Sequence, residues 1–218
     1  MSDDLIIYTA IFGEIRDRLF PPAVSPAVPC HAFLEGVEDG EVRRGWICHP
    51  PRWEQEDRQR LARRHKLLAH QLFPDAACTL WVDGCLTPRG DVRAMAAAQL
   101  ARHEIVVFRH MQRSCVYQEL EACLRLRKDT PDVMRRQVDE YRRAGYPHHN
   151  GLAETTAVLR KHTPEVIAFC KRWWQEVREK SVRDQLSFDY LAWRQGLSYG
   201  TFEGTRCSSP CFVWRAHR

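Results

Sequence analysis

Leu5-Ile-Ile-Tyr-Thr-Ala-Ile-Phe-Gly13 is the stretch on which the fold turns. Its apolar residues follow one another without alternation, as in a strand covered on both faces, and Gly13 stops the run. That pattern predicts a buried, parallel first strand. Two similar runs follow. Cys78-Thr-Leu-Trp-Val82 ends at Asp83-Gly84, and Ile105-Val-Val-Phe108 ends at Arg109-His110. Weaker strand candidates lie at 29–34 and 45–48, separated by an acidic turn from Glu35 to Gly40. Residues 153–160 and the terminal Cys211-Phe-Val-Trp-Arg215 also read as strands.

Between these runs the apolar spacing turns helical. From Glu54 to Leu72, Leu61, Leu68, Ala69 and Leu72 share a face, and the Arg and Lys residues mostly occupy the rest. Further helices are predicted over about 90–102, 114–127, 131–144, 164–179 and 183–194. Pro131 and Gly145 supply start and stop chemistry for the third of these. Ser114 is a natural N-cap for the second. Val166, Cys170, Trp173 and Val177 form one buried stripe. Strands alternating with helices imply an α/β architecture with a mostly parallel central sheet flanked by helices.

At 218 residues, with 7 Trp, 9 Phe and 6 Tyr, the chain can build one sizeable core, and one domain over residues 1–218 is expected. No apolar run is long enough to span a bilayer. The acidic start Met1-Ser2-Asp3-Asp4 leads into no signal sequence, so a cytoplasmic location is expected. The 9 cysteines are odd in number and irregularly spaced, a poor disulfide framework, and read as small core residues in a reducing compartment. A net charge of +5 is mild, suits anionic small ligands as well as nucleic acid, and does not choose between them. The aromatics fall on predicted core stripes rather than among the arginines, so no nucleic-acid partner is expected.

Ligands of open α/β sheets sit outside the carboxyl ends of strands. Gly13, Asp83-Gly84 and His110 each stand where an apolar run ends. Asp83 can hold a hard cation that also ligates a diphosphate, or can cap the next turn. Arg63 and Lys66, three residues apart, can clamp phosphate oxygens or belong to a solvated helix face. His110, Arg113, Tyr117 and Glu119 surround a strand-to-helix turn, as candidates for sugar hydroxyls or an anionic group, or as a capping network. His149, Asn150 and Glu154 are candidates for gripping a polar substrate. Asp184 opens a helix, where a dipole partner and a catalytic carboxylate look alike.

Taken in order, Ile7-Tyr-Thr-Ala-Ile-Phe-Gly13, Arg63-Arg-His-Lys66, Leu80-Trp-Val-Asp-Gly84, His110-x-x-Arg-x-x-Val-Tyr-x-Glu119, Gly151-Leu-Ala-Glu154, Trp173-Trp174 and Arg183-Asp-Gln-Leu-Ser-Phe188 carry a family resemblance. They resemble a glycosyltransferase-like family catalogued as domain of unknown function 616, with bacterial members and plant members linked to mucilage polysaccharide. The resemblance runs from about residue 5 to 194. It implies a GT-A-like, Rossmann-related domain that binds a nucleoside-diphosphate sugar.

The same resemblance implies that Thr9, Ala10, Phe12 and Gly13 cradle the nucleotide. Arg63 and Lys66 then approach the donor, and Asp83 with Gly84 holds a divalent cation, manganese or magnesium, on the diphosphate. Asp83-Gly84-Cys85 departs from the Asp-x-Asp pattern, which leaves the metal requirement open; His217 is a second candidate ligand. Asp184-Gln185 is similar to an acceptor-side pair, with Asp184 preferred over Glu154 as base, and Gly151 and Arg183 stand beside them. The expected activity is transfer of a sugar to a hydroxyl or amine of a polysaccharide or small-molecule acceptor. The alternatives are a ceramidase-like amide or lipid hydrolase, for which no Ser or Cys signature appears, and a non-catalytic sugar- or nucleotide-binding module.

Overall fold

The chain runs β1 (Leu5–Ile11), β2 (Ala23–Val24), β3 (Cys30–Leu34), β4 (Val42–Arg43), β5 (Trp46–His49), α1 (Arg58–Leu67), α2 (Ala69–Leu72), β6 (Cys78–Val82), β7 (Leu86–Gly90) and α3 (Val92–Leu100). It continues through β8 (Ile105–Arg109), α4 (Val116–Arg125), α5 (Pro131–Arg143), β9 (Ala153–Lys161), α6 (Pro164–Glu179), α7 (Asp184–Gln195), β10 (Gly200–Thr201) and β11 (Phe212–Trp214). The structure, a computed structural model, describes residues 5–13, 19–25, 27–54 and 57–215.

Among the described residues the main sheet has the order β10-β8-β9-β6-β1-β3-β5-β4. β9 runs antiparallel to both β6 and β8, and β4 antiparallel to β5. The other pairings are parallel, so the sheet is mostly parallel, as predicted. From β1 the chain builds outward through β3 and β5, then crosses back to place β6 on the other side of β1. That reversal opens a crevice at the carboxyl ends of β1 and β6. In a smaller sheet, β11-β7-β2, only β11 matches a strand expected from the sequence, the terminal Cys211–Arg215 run.

Both faces of the main sheet are covered. On one face, Tyr8, Trp81, Val107 and Val158 pack against Phe169, Trp173 and Phe188 of α6 and α7 and Leu67 of α1. On the other, Ile7, Ala32, Leu80 and Leu159 meet Val92 and Ala96 of α3 and Phe212 of the small sheet. α4 and α5 close a third cluster through Val116, Leu120, Met134 and Val138. Cys30, Cys48, Cys78, Cys85, Cys115, Cys123 and Cys170 are buried, filling core volume as small apolar residues.

Local departures from the sequence reading have identifiable causes. The helix expected over 54–72 starts at Arg58, where the Asp57 carboxylate accepts from the Gln59 and Arg60 N–H groups at 3.0 Å each. It then breaks at Leu68. The Lys66 carbonyl, which the His70 N–H would need, instead accepts from Tyr8 Oη at 2.7 Å and from Arg160 Nη2. The helix expected from about residue 90 starts at Val92, because Leu86–Gly90 pairs with β11. Ser114 does not cap α4; that position is Cys115, without a side-chain cap, and Ser114 Oγ lies 3.3 Å from His149 Nδ1.

Burial holds the pKa of four imidazoles down to about 4, helped by His49 at His31, by Arg64 at His65, by Arg160 at His70 and by Arg160 at His162. Folded, they stay neutral; unfolded, they protonate near the ordinary histidine value of 6.5. Their stabilising contribution is complete above about pH 6.5 and is lost as pH falls towards 4. Urea midpoints should therefore decline steadily between pH 7 and pH 4.5, with unfolding taking up protons in that interval. A flat midpoint across it would contradict this.

Candidate functional site

The carboxyl ends of β1 and β6 meet the last turn of α1, the start of β9 and the first turn of α7. Strand β9 is irregular there. Val107 pairs with Val158, but the next residue, Phe108, pairs with Glu154. Extra residues on one strand of a ladder re-aim its side chains. The result turns Thr155 towards α1 and α7, while its neighbour Glu154 faces away from them.

Four of the residues singled out in the sequence come together at this point. Lys66, only 1% exposed, donates from Nζ to Asp184 Oδ2 at 2.7 Å and to Thr155 Oγ1 at 3.2 Å, and lies 3.5 Å from Asp83 Oδ1. Arg63 Nε is 2.8 Å from Asp184 Oδ1, and Thr155 Oγ1 donates to Asp184 Oδ2 at 2.8 Å. Trp81 Nε1 donates to Asp83 Oδ1 at 2.7 Å. Of these side chains, Asp83 and Arg63 are partly exposed, at 22% and 21%, and the rest of the cluster lies behind them.

Both Asp184 oxygens are occupied. Burial alone would push its pKa up, but the adjacent Arg63 and Lys66 charges, with Arg183 beyond them, outweigh burial and hold it well below the usual carboxylate range. A carboxylate in that state is a weak proton acceptor. Its evident work is to hold two cations in place. Arg63 and Lys66 match Asp83 and Asp184 in number, and Arg183, which reaches Cys123 on α4, adds positive potential from the edge of the cluster.

Thr9 and Gly84 line a small cavity beside Asp83, together with Ile11, Phe20, Trp46 and Leu86. Thr9 Oγ1 is buried there without a hydrogen-bond partner among the described residues. Ala10 points the other way, into the core beneath α1. Phe12 packs on His65 with ring centroids 4.9 Å apart. Gly13, at φ +85°, donates its N–H to Glu35 Oε2 at 2.9 Å.

A second group sits beyond β8. Arg113 Nε donates to Glu119 Oε2 at 2.6 Å, and Arg113 Nη2 lies 2.9 Å from His110 Nε2. Glu154 accepts from Arg206 Nη1 at 2.7 Å. Tyr117 is not part of this group: its hydroxyl donates to the Tyr146 carbonyl at 2.6 Å and its ring stacks on His148. His149 and Asn150 are exposed on the preceding loop, with Gly151 at φ +92°. Gln185 is buried, with Nε2 unpartnered among the described residues. Arg183 is half-buried at the N-cap of α7, and His217 lies outside the described residues.

Sequence reasoning missed Thr155, Trp81 and Arg206 as members of these clusters, and also Asp189. Burial raises the pKa of the Asp189 carboxyl, which accepts from the Ala153 N–H at 2.8 Å and from Tyr199 Oη. A threonine in a strand and an arginine in a loop carry no periodic signal. Only the β9 irregularity and the folding-back of residues 204–206 bring them in.

As a cation site the donor set is thin. Among the described residues no three His, Cys, Asp or Glu groups converge. Asp83 offers one carboxylate, already on the Trp81 indole and near Lys66. It therefore fits a hard cation only when a ligand supplies further oxygens, as magnesium sites shared with phosphates do.

A family model described as the TOD1/MUCI70 glycosyltransferase-like domain matches residues 52–202. The first block of the resemblance, Ile7 to Gly13, precedes that match. A stretch of 142 residues, 61% of this chain, is 32% identical to a probable hexosyltransferase, MUCI70, of Arabidopsis thaliana; it spans 24% of that relative's length. Mouse xyloside xylosyltransferase 1 aligns with 91% of this chain and 84% of its own, at TM-score 0.51 and 13% identity. The galactosyltransferase LgtC aligns with 97% of this chain and 87% of its own, at TM-score 0.49 and 9% identity. At 13% identity the xylosyltransferase likeness is one of fold, and that fold is GT-A-like.

Removing one member of a buried ion cluster strands the others, typically at about 3–5 kcal/mol. Asp184→Asn should lower the unfolding free energy by about that amount in urea titrations. Combining it with Lys66→Met should cost clearly less than the sum of the two single changes. Additive losses would show that the two groups are not coupled.

Proposed function

Because the chain belongs to the TOD1/MUCI70 glycosyltransferase-like domain family, we propose that it transfers a hexose or related sugar from a nucleoside-diphosphate sugar to an acceptor hydroxyl or amine. The observation that carries this reading is the closeness of Lys66 to both Asp83 and Asp184 at the carboxyl ends of β1 and β6. The crevice presents fixed positive charge where a leaving diphosphate gains negative charge, the kind of preorganised stabilisation that accelerates group transfer.

In this mechanism Asp184 and Thr155 hold Lys66 and Arg63 in position before the donor arrives, so little reorganisation accompanies departure of the nucleotide. Lys66 and Arg63 offset the charge on the diphosphate. Asp83 would hold a divalent cation jointly with diphosphate oxygens, and that ion would supply additional Lewis-acid charge stabilisation. Asp184, ion-paired at both oxygens, is assigned to positioning rather than to proton abstraction. Glu154, Asn150 and Gln185 lie towards the acceptor side. The odd number and irregular spacing of the 9 cysteines support action in a reducing, cytoplasmic compartment. Among the described residues, no helix is long and apolar enough to cross a membrane.

Titration calorimetry with UDP, GDP and dTDP should reveal binding of at least one of them, strengthened by manganese. Lys66→Met and Arg63→Gln should each weaken diphosphate binding about ten-fold or more, with far smaller effect on the bare nucleoside. Asp83→Asn should remove the manganese-linked gain and retain metal-free binding. If no nucleotide binds under any of these conditions, the reading fails.

A further inference from the structure

A cleft of about 490 Å³ opens beside the carboxyl end of β8, lined by Arg109, His110, Met111, Arg113, Ser114 and Gln118, with Gly204 and Thr205 on its far wall. A relay of hydrogen bonds ties its wall to the charged crevice. Asp83 N–H donates to the Thr156 carbonyl, Thr156 Oγ1 donates to Glu154, and Glu154 holds Arg206, the residue after Thr205. From the geometry of this cleft we infer that it binds an oxyanion carried by the acceptor, so that the acceptor is an acidic sugar, bearing a carboxylate or a phosphate. The inference rests on the glycosyltransferase reading for the word acceptor, and on the cleft alone for the anion.

The physical case begins with the hydrogens of His110. Its Nδ1 accepts from the Gln112 N–H at 3.2 Å and the Arg113 N–H at 3.0 Å. Nδ1 is therefore unprotonated, and the ring hydrogen sits on Nε2. Arg113 Nη2, which can only donate, lies 2.9 Å from that Nε2. Two donors thus face each other. The carboxylate behind them, Glu119, is taken by Arg113 Nε at 2.6 Å, and its Oε2 is 3.9 Å from His110 Nε2, beyond hydrogen-bond reach. A ligand oxygen accepting from both groups would relieve this donor–donor contact.

Charge points the same way. Arg113 is balanced by Glu119 and Arg206 by Glu154, and Arg109 stands exposed at the cleft wall in addition to both pairs. No carboxylate lines the cleft among the described residues. A neutral hydroxyl could accept the two hydrogen bonds, but only an anion also uses the Arg109 charge, and charge-assisted bonds are roughly twice as strong as neutral ones.

The test measures binding of glucuronate, glucose 6-phosphate, glucose and inorganic phosphate to the full chain by ligand-observed NMR or calorimetry, with and without saturating nucleotide. At least one acidic sugar should bind about ten-fold or more tightly than glucose, and that preference should shrink between 50 and 500 mM salt, both about as expected for one charged contact. Glucuronate against glucose 6-phosphate tells a carboxylate from a phosphate. Arg109→Gln, at an exposed position that leaves the core untouched, should reduce the acidic sugar to the level of glucose. Arg113→Gln should do the same but also strips buried Glu119 of its partner, so thermal unfolding is recorded alongside.

Equal binding of acidic and neutral sugars, no binding of any sugar, or an unchanged preference in Arg109→Gln overturns the inference. Inorganic phosphate binding as tightly as glucose 6-phosphate also overturns it, since the cleft would then read a free ion. Nucleotide binding in the same samples separates the two claims. Nucleotide bound without acidic preference defeats this inference alone; acidic preference without nucleotide binding defeats the transferase reading alone.

Discussion

One buried carboxylate organises the crevice end of this molecule. Asp184 sits at the first turn of α7, reaches across to α1 for Lys66 and Arg63, and takes the hydroxyl of Thr155 from β9. Three separate stretches of chain are thereby tied at one point. A single buried lysine would be costly in this location, because an unpaired charge loses its hydration without recompense. Paired with Asp184, it can remain charged within reach of solvent-facing Asp83. The helix-opening position of Asp184 contributes too, since the N-terminus of α7 favours negative charge.

The geometry that permits this tie comes from a strand that breaks the sheet's prevailing direction. β9 enters between β6 and β8 against the run of its neighbours, its register shifts at Phe108, and the strand's ordinary alternation puts Thr155 and Glu154 on opposite faces. Thr155 joins the Lys66–Asp184 cluster. Glu154 instead pairs with Arg206 and helps bring residues 204–206 against the end of β8. The same short segment of β9 thus contributes to two chemically different groups, one on each side of the strand.

Much of the architecture was legible in the residues. The uninterrupted apolar runs at 5–11, 78–82 and 105–108 are strands, and the Pro-started, Gly-stopped segment at 131–143 is a helix, because local backbone chemistry and periodicity agree there. Short pairings such as β7 with β11 were not legible, since Leu86-Thr-Pro-Arg-Gly90 has no alternation and is a strand only because Phe212–Trp214 lies beside it. At the site, the resemblance and strand-end logic put Lys66 and Arg63 with Asp83, but gave Asp184 to the acceptor side rather than to ion pairs with those two cations. The state of Asp184 was not legible. Residue type says carboxylate, but only tertiary placement says that both oxygens are already committed. Tyr117 illustrates the opposite failure, a polar residue that shares a turn with His110 and Arg113 yet is drawn into the α4–α5 cluster by the Tyr146 carbonyl.

The interruption between α1 and α2 has a mechanical corollary. The Lys66 main chain is gripped by Tyr8 from the first strand and Arg160 from β9, both fully enclosed by the core, while its ammonium faces the crevice from the same backbone unit. Interior and reactive edge thus share a single anchor. A change that loosens the packing round Tyr8 would be felt some distance away as misplaced charge, so this part of the interior should tolerate far less drift in side-chain shape than the equally buried aliphatic layer beneath α3.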